Sequence, residues 1–363
     1  MGRVRPLVQA DIGQIAELYR RVFGSASTAP PGWLEGTLHA VLWDHPWRDD
    51  ALPSLVYEDE HERVVGCIGV MPRPMSIAGE PVRAVVSHTV MIEPGRRAAP
   101  VSVELLKALL SGPQDLILAQ GAHVSRRIFE AIGGVSSPFY GVRWVRPLRP
   151  ARYVLSSLTR RGLPALPASA LAPFCRGLDT LAARVRTNPF AVLPSDLTGD
   201  ELDVDTFVES LDDVARDRSL RPRYDRNSAK WLLELMASKT GHGAFQKVVV
   251  RQPSGEVAGW YLYYLNPAGT SEVVQVGALA ASVDAVLAHL FAHAWRGGAV
   301  ALSGQLDPAA FPALTREGCL FRHDGGPGLL VHSRRGDLRE AIHRGDGFIT
   351  PLEGEWWIGF ILT

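Results

Sequence analysis

The chain of 363 residues holds only three cysteines, Cys67, Cys175 and Cys319. They are far apart, odd in number and without CxxC spacing, which leaves neither a disulfide framework nor a zinc cluster and fits a reducing compartment. Net charge is missing too, because 38 Lys and Arg offset 38 Asp and Glu. Neutralising duplex phosphates takes a cationic excess, so this balance argues against a nucleic-acid partner and for a small molecule. Lysine is scarce, present only at positions 107, 230, 239 and 247, a bias expected of genomic base composition. No apolar run reaches the roughly 18 residues of a membrane span. The opening segment from Met1 to Leu7 lacks the apolar core of a signal peptide. The expectation is a cytoplasmic chain with no membrane partner.

What is present is core material: 46% hydrophobic residues, 21% charged residues and 9 Trp. At roughly 150 residues per domain the length predicts two domains. Residues 4–8 read as a strand, and Ile12, Ile15, Leu18, Tyr19 and Val22 line one face of a helix that Asp11 opens and Gly24 ends. A second helix, 33–42, brings Trp33, Trp43 and Trp47 into one neighbourhood. Strands follow at 54–57, 64–71 and 82–92, then a helix at 101–110, a strand at 115–119, a helix at 125–132 and a strand at 139–145. This mixed order predicts an α+β fold, a mixed sheet flanked by helices. Residues 146–199 are rich in proline and read as a linker with one helix near 178–185.

From residue 200 the pattern restarts. Asp205 to Leu211 echoes Asp11 to Leu18, Trp231 echoes Trp33, and Val257 to Gly259 echoes Val64 to Gly66, at offsets of 194, 198 and 193. A structural repeat follows, with strands at 245–251, 257–265, 271–279, 300–303 and 328–333, helices at 282–295 and 308–317, and a last strand within 348–360 that carries Trp356 and Trp357. The expected division is 1–150, a linker at 151–199, and 200–363.

The element order, with Val4, Arg5, Pro6, Leu7, Asp11 and the helix ending in Leu18 to Phe23, resembles the GNAT superfamily of acyl-CoA-dependent N-acyltransferases. The likeness covers roughly 1–150 and, more weakly, 200–335. It implies two GNAT-like sheets in tandem and an acetyl-CoA or other acyl-CoA co-substrate, whose pyrophosphate is held by loop amides at a helix N-terminus. The matching stretch is Val90 to Ser102. The resemblance then implies carbonyl donors at the Met91 and Ile92 amides, and cofactor contacts from Arg96, Arg97, Ala98, Ala99, Val101 and Ser102. Two glycines of the family pattern are replaced by Pro100, which has no N–H, and Ser102, whose hydroxyl can donate. Where many members carry a tyrosine that protonates the leaving thiolate, this chain has Phe129, so either another residue such as Tyr140 or a water does this work, or the first domain does no catalysis. The second copy's turn, Gly277 to Ser282, has neither a basic residue nor a glycine pair, which implies a structural or substrate-side role. The stretches Arg221 to Asp225 and Gly345 to Thr350 resemble tandem acyltransferases found with polysaccharide biosynthesis.

Acyl transfer to an amine or hydroxyl needs a base and a polarised carbonyl. His88 is the titratable side chain on the strand before the loop, with an ordinary pKa near neutrality; its other role is a structural histidine. Glu93 is a second candidate base through water, or an ion-pair partner for Arg96 and Arg97. Trp33, Tyr261 and Tyr263 are candidate substrate contacts, the two tyrosines sharing one face of a strand. Cys67 reads as core. His289 and His293 have the i,i+4 spacing of metal ligands but no third ligand, so no metal is expected. The acceptor is expected to be a small amine, amino sugar or natural-product intermediate. The alternatives are a catalytically inactive tandem binding or scaffold protein, and a Fem-type aminoacyl transferase using aminoacyl-tRNA.

Overall fold

The computed structural model describes all residues except 1, 25–31, 96–97, 121–122, 161, 163–164, 183–190, 192–194, 268, 324–327 and 355–363. Trp356 and Trp357 therefore lie outside the described residues.

Strands in the first half are β1 (Arg3–Pro6), β2 (Leu55–Glu58), β3 (Val64–Pro72), β4 (Met75–Ile77), β5 (Glu80–Val82), β6 (Ala84–Ile92), β7 (Leu116–Gln120), β8 (Val135–Ser137) and β9 (Val142–Pro147). Those in the second half are β10 (Thr198–Glu201), β11 (Leu220–Pro222), β12 (Ala244–Arg251), β13 (Val257–Leu265), β14 (Thr270–Ala278), β15 (Ala301–Gln305), β16 (Leu320–His323) and β17 (Leu329–His332). The helices are α1 (Ile12–Phe23), α2 (Trp33–Leu42), α3 (Ala98–Leu110), α4 (His123–Ala131), α5 (Pro150–Arg160) and α6 (Ala165–Ala182). They continue with α7 (Val204–Val214), α8 (Arg226–Ala237), α9 (Val283–Arg296), α10 (Phe311–Arg316) and α11 (Gly336–His343).

Two seven-stranded mixed sheets form, in the orders β1-β2-β3-β6-β7-β17-β8 and β10-β12-β13-β14-β15-β9-β16, as the α+β reading expects. The sequence division into consecutive halves does not describe the packing. One compact unit comprises Met1–Gly141, Arg218–Leu232 and Gly325–Thr363; the other comprises Val142–Asp217 and Leu233–Asp324. The strand expected to close the first sheet, β9, pairs with β15 and β16, whereas β17, expected in the second sheet, pairs with β7 and β8. Strand periodicity gives faces, not partners, so a strand can be exchanged between sheets without any mark in its own pattern.

The proline-rich 146–199 stretch also differs from its reading as a linker with one helix, since it holds both α5 and α6. Proline is compatible with a helix's first turn, and Pro150 opens α5. A further departure is the hairpin of β4 and β5, which falls between the strands expected at 64–71 and 82–92, where only a connection was expected. Its two-residue turn has Ala78 at φ 48° and Gly79 at φ 89°, the left-handed pair of a type I′ turn. With β11 it makes a small separate sheet.

In the first unit, α3 packs on the sheet through Val101, Leu105 and Leu109 against Tyr57, Ile68 and Val85. Gly66 lets it come close: a Cβ there would lie 2.8 Å from Leu105 Cδ1 and 2.9 Å from Val101 Cγ1. Asp11 is buried at the entry to α1, where its carboxylate takes both Arg5 guanidinium nitrogens at 2.8 and 2.9 Å and the Val8 amide at 2.9 Å. Burial alone would raise that carboxyl, but Arg5 and the Val8 amide outweigh it and hold it below its usual range.

Candidate active site

The centre of the first unit is the strand β6. It runs parallel to β7 from Ala84 to Ser87, opposite Leu116 to Ala119, and the pairing ends there. On its other side β6 stays with β3, but Cys67 faces Met91 while Gly69 faces His88, so β6 carries one extra residue. That bulge is marked by Thr89 at φ 50°, a left-handed conformation that a β-branched residue seldom adopts. The outer end of β6 therefore stays bound to β3 while its pairing to β7 has stopped. The second unit repeats the arrangement: β14 runs parallel to β15 only over Thr270 to Val273, and its pairing with β13 slips between Leu262 and Tyr263.

His88 sits at the bulge and is fully buried. Its Nδ1 shares a hydrogen bond with Thr89 Oγ1 at 2.8 Å, and among the described residues its Nε2 has no partner. Burial, with a lesser push from His45, lowers its pKa to about 3. His45, after α2, is also buried, and among the described residues its Nδ1 has no partner. Burial, then the Arg73 and Arg48 charges, lowers it to about 4. His45 lines a cavity of about 260 Å³ with Trp43, Arg48, Leu52, Ser54 and Val70. Two neutral histidines with an open ring nitrogen thus belong to one unit.

Past the bulge, Met91 is buried and Ile92 half-buried, opposite Cys67 and Gly66. Glu93 pairs with Arg21 at 3.1 Å. The Arg96 and Arg97 partners expected for it lie outside the described residues. A second cavity, of about 330 Å³, is lined by Glu93, Gly95, Val101, Tyr57, His61 and Arg63, next to the start of α3. Ala98, Ala99, Val101 and Ser102 all fall in the first turns of α3, with Ala99 exposed, Val101 buried and Ser102 half-buried. Cys67 is buried, which pushes its thiol up to about 12, and it is inert as a nucleophile.

Other residues singled out from sequence lie elsewhere. Tyr140 is buried, its hydroxyl donating to the Gly347 carbonyl at 2.8 Å and accepting from the Gly347 amide at 3.2 Å. Phe129 is buried with its ring against Gly134. Trp33 is 37% exposed at the head of α2. Trp43 follows the end of that helix and carries the Arg48 guanidinium 3.5 Å above its ring. Ten helical residues separate the ends of α2 by about 15 Å, so the three tryptophans do not share one neighbourhood. Tyr261 and Tyr263 are fully buried in the second unit's core, hydrogen-bonded to His289 Nδ1 at 3.0 Å and His293 Nδ1 at 2.7 Å. With no exposed surface they are not placed to make the substrate contacts expected of them. Among the described residues no group of three or more metal-ligating side chains forms.

Sequence reasoning missed a buried polar cluster in the first unit. Arg73 Nη2 donates to the Tyr224 hydroxyl at 2.6 Å and to the Leu352 carbonyl at 2.9 Å. Tyr224 donates onward to Glu353 Oε1 at 2.7 Å, while Glu353 Oε2 accepts from the Thr350 amide at 2.9 Å and its hydroxyl at 2.5 Å. The Arg73 guanidinium lies 4.3 Å over the Trp47 ring. Burial raises the Glu353 carboxyl despite Thr350, Arg73 and Tyr224. The only hints were Tyr224 and Thr350, which fall in the two short stretches quoted above. Those stretches do meet, through the Phe348 amide bonded to the Leu220 carbonyl at 2.8 Å.

No protein-family profile and no curated protein matches the sequence. Solved structures do. A probable N-acyltransferase of unknown function from Enterococcus faecalis V583 aligns with a TM-score of 0.59 at 12% identity, over 92% of this chain and 73% of that one. A GCN5-related N-acetyltransferase from Anabaena variabilis ATCC 29413 gives 0.58 at 12% identity, over 91% and 72%. The N-myristoyltransferase of Saccharomyces cerevisiae with bound myristoyl-CoA gives 0.50 at 12% identity, over 91% and 77%. At such identities the likeness establishes the fold, which is that of the GCN5-related N-acetyltransferases.

Proposed function

We propose that the protein transfers an acyl group from a CoA thioester to an amine of a small molecule, and that the first unit does the chemistry. The observation that carries this reading is the parting of β6 from β7 after Ser87 and Ala119, with His88, whose Nε2 has no partner among the described residues, at the parting point. The thioester carbonyl would lie against the outer end of β6, polarised by the Met91 and Ile92 amides. The amides of Ala98, Ala99 and Val101, the Ser102 hydroxyl and the Arg96 and Arg97 side chains would hold the phosphates. Pro100 adds no donor there.

In the transfer the acceptor nitrogen bonds to the carbonyl carbon, the C–S bond breaks, and the nitrogen sheds a proton while the thiolate gains one. His88 is neutral throughout the neutral range because burial holds it at about 3. Burial makes His88 a weaker base than a free imidazole, and an amine, whose cationic adduct is far more acidic than a neutral hydroxyl, is the acceptor that such a base suits better. Acetyl-CoA and a small amino-sugar or natural-product acceptor remain the specific form of the proposal. A non-catalytic binding protein is the second reading, supported by Phe129, which has no proton to give.

Calorimetric titration with acetyl-CoA, longer acyl-CoAs and free CoA tests the donor site. Micromolar binding that an Arg97→Ala variant weakens supports it. Absence of binding to all three rejects it.

A further inference from the structure

We propose that the hairpin of α5 and α6 docks the protein on an anionic membrane surface, independently of any acyl transfer. Exposed large apolar side chains are concentrated there: of thirteen among the described residues, six are Val154, Leu158, Leu171, Phe174, Leu178 and Leu181. On α6 the exposed ones recur at intervals of three, four and three residues, and are 46%, 73%, 59% and 60% exposed. That spacing puts them in one stripe along the helix. The opposite choice was available to the fold, since Asp179 of the same helix is buried and binds the Ala151 amide and the Arg152 side chain. A stripe of this size left to solvent marks a surface meant to be covered.

Charge selects the cover. Residues 150–186 contain six arginines, at 152, 160, 161, 176, 184 and 186, against the single acid Asp179, a net +5 in a chain whose total is zero. The fourteen residues from Gly162 to Cys175 carry no charge, and they are bracketed by Arg160 and Arg161 on one side and Arg176 on the other. An uncharged apolar stretch flanked in sequence by arginines suits a bilayer interface, where apolar side chains enter the acyl boundary and guanidinium groups stay with anionic headgroups. A second copy of the chain is disfavoured, because it would bring two +5 segments together. Among the described residues no helix is long and apolar enough to cross a membrane, so the hairpin would lie on the surface rather than span it.

Flotation of the full chain with vesicles of phosphatidylcholine, with and without about one third phosphatidylglycerol, tests the proposal. The chain is expected to float with the anionic vesicles, much less with the neutral ones, and to be released by about 0.5 M salt. A Phe174→Asp/Leu178→Asp variant should partition at least tenfold more weakly, and Arg160→Gln/Arg161→Gln/Arg176→Gln should lose the preference for anionic lipid, both with unchanged circular dichroism. A wild-type chain that stays soluble beside both vesicle types overturns the proposal. So does a dimer in light scattering that the Phe174→Asp/Leu178→Asp variant dissolves without any flotation of the wild type, which would assign the stripe to a second copy.

Discussion

The His88 imidazole lies flat against the backbone of Gly69, so close that a Cβ on Gly69 would stand 2.5 Å from its Cε1 and 2.7 Å from each ring nitrogen. The two residues face each other across β3 and β6, and the missing side chain makes the ring's place. A Gly69→Ala substitution must push the imidazole out or part the strands. The expected cost is about 1–3 kcal/mol, typical of an overpacked core, read as a lower urea midpoint at unchanged slope. A Gly69→Ala variant as stable as the wild type would mean that the ring has somewhere else to go.

Acid should unfold this protein earlier than its composition suggests. His88 and His45 are held at about 3 and about 4, whereas in the unfolded chain both titrate near 6.5. Between those values the unfolded chain binds protons that the folded chain refuses. Stability is therefore complete above about pH 6.5 and falls as the solution is acidified, by up to about 1.4 kcal/mol per pH unit for each histidine. Urea titrations between about pH 7 and about pH 5 measure this slope. His88→Asn and His45→Asn should each flatten it; a slope indifferent to both substitutions would contradict their burial as neutral rings.

Tyr224 is the bridge between Arg73 and Glu353, accepting from one and donating to the other. Tyr224→Phe leaves both buried groups short of a partner, at an expected loss of about 2–3 kcal/mol. A loss below about 0.5 kcal/mol would show that the guanidinium and carboxyl re-pair directly.

Tyr140 separates a structural from a catalytic task. Its hydroxyl closes two hydrogen bonds on Gly347, so Tyr140→Phe should cost about 1–2 kcal/mol of stability. If the hydroxyl also protonates the leaving thiolate, the variant's kcat falls by about a hundredfold; an unchanged kcat at permissive temperature leaves it the anchor alone.

The fold class was legible in the sequence because it depends on periodicity, and both copies keep theirs: the strand from Val257 to Leu265 is found where its pattern put it. The partners of β9 and β17 were not legible, since Val142–Pro147 and Leu329–His332 have the same pattern in either sheet. The site was half legible. His88 could be placed on β6 by alternation, but nothing local announced that Gly69 would cradle it or that Thr89 would take a left-handed turn. The Arg73, Tyr224 and Glu353 cluster joins residues 151 and 129 positions apart, and no window of sequence contains such a contact.

The exchange of β9 and β17 has a meaning for synthesis. A ribosome releases β7 long before β17, so until residues 329–332 emerge the first sheet presents β7 as an open edge, with its backbone donors and acceptors unpaired. β9 leaves the ribosome early as well and waits for β15 and β16. Neither sheet can finish before its late strands are made, so the nascent chain holds two unfinished edges at once, and its exposure to mispairing is set by how quickly the last third is translated.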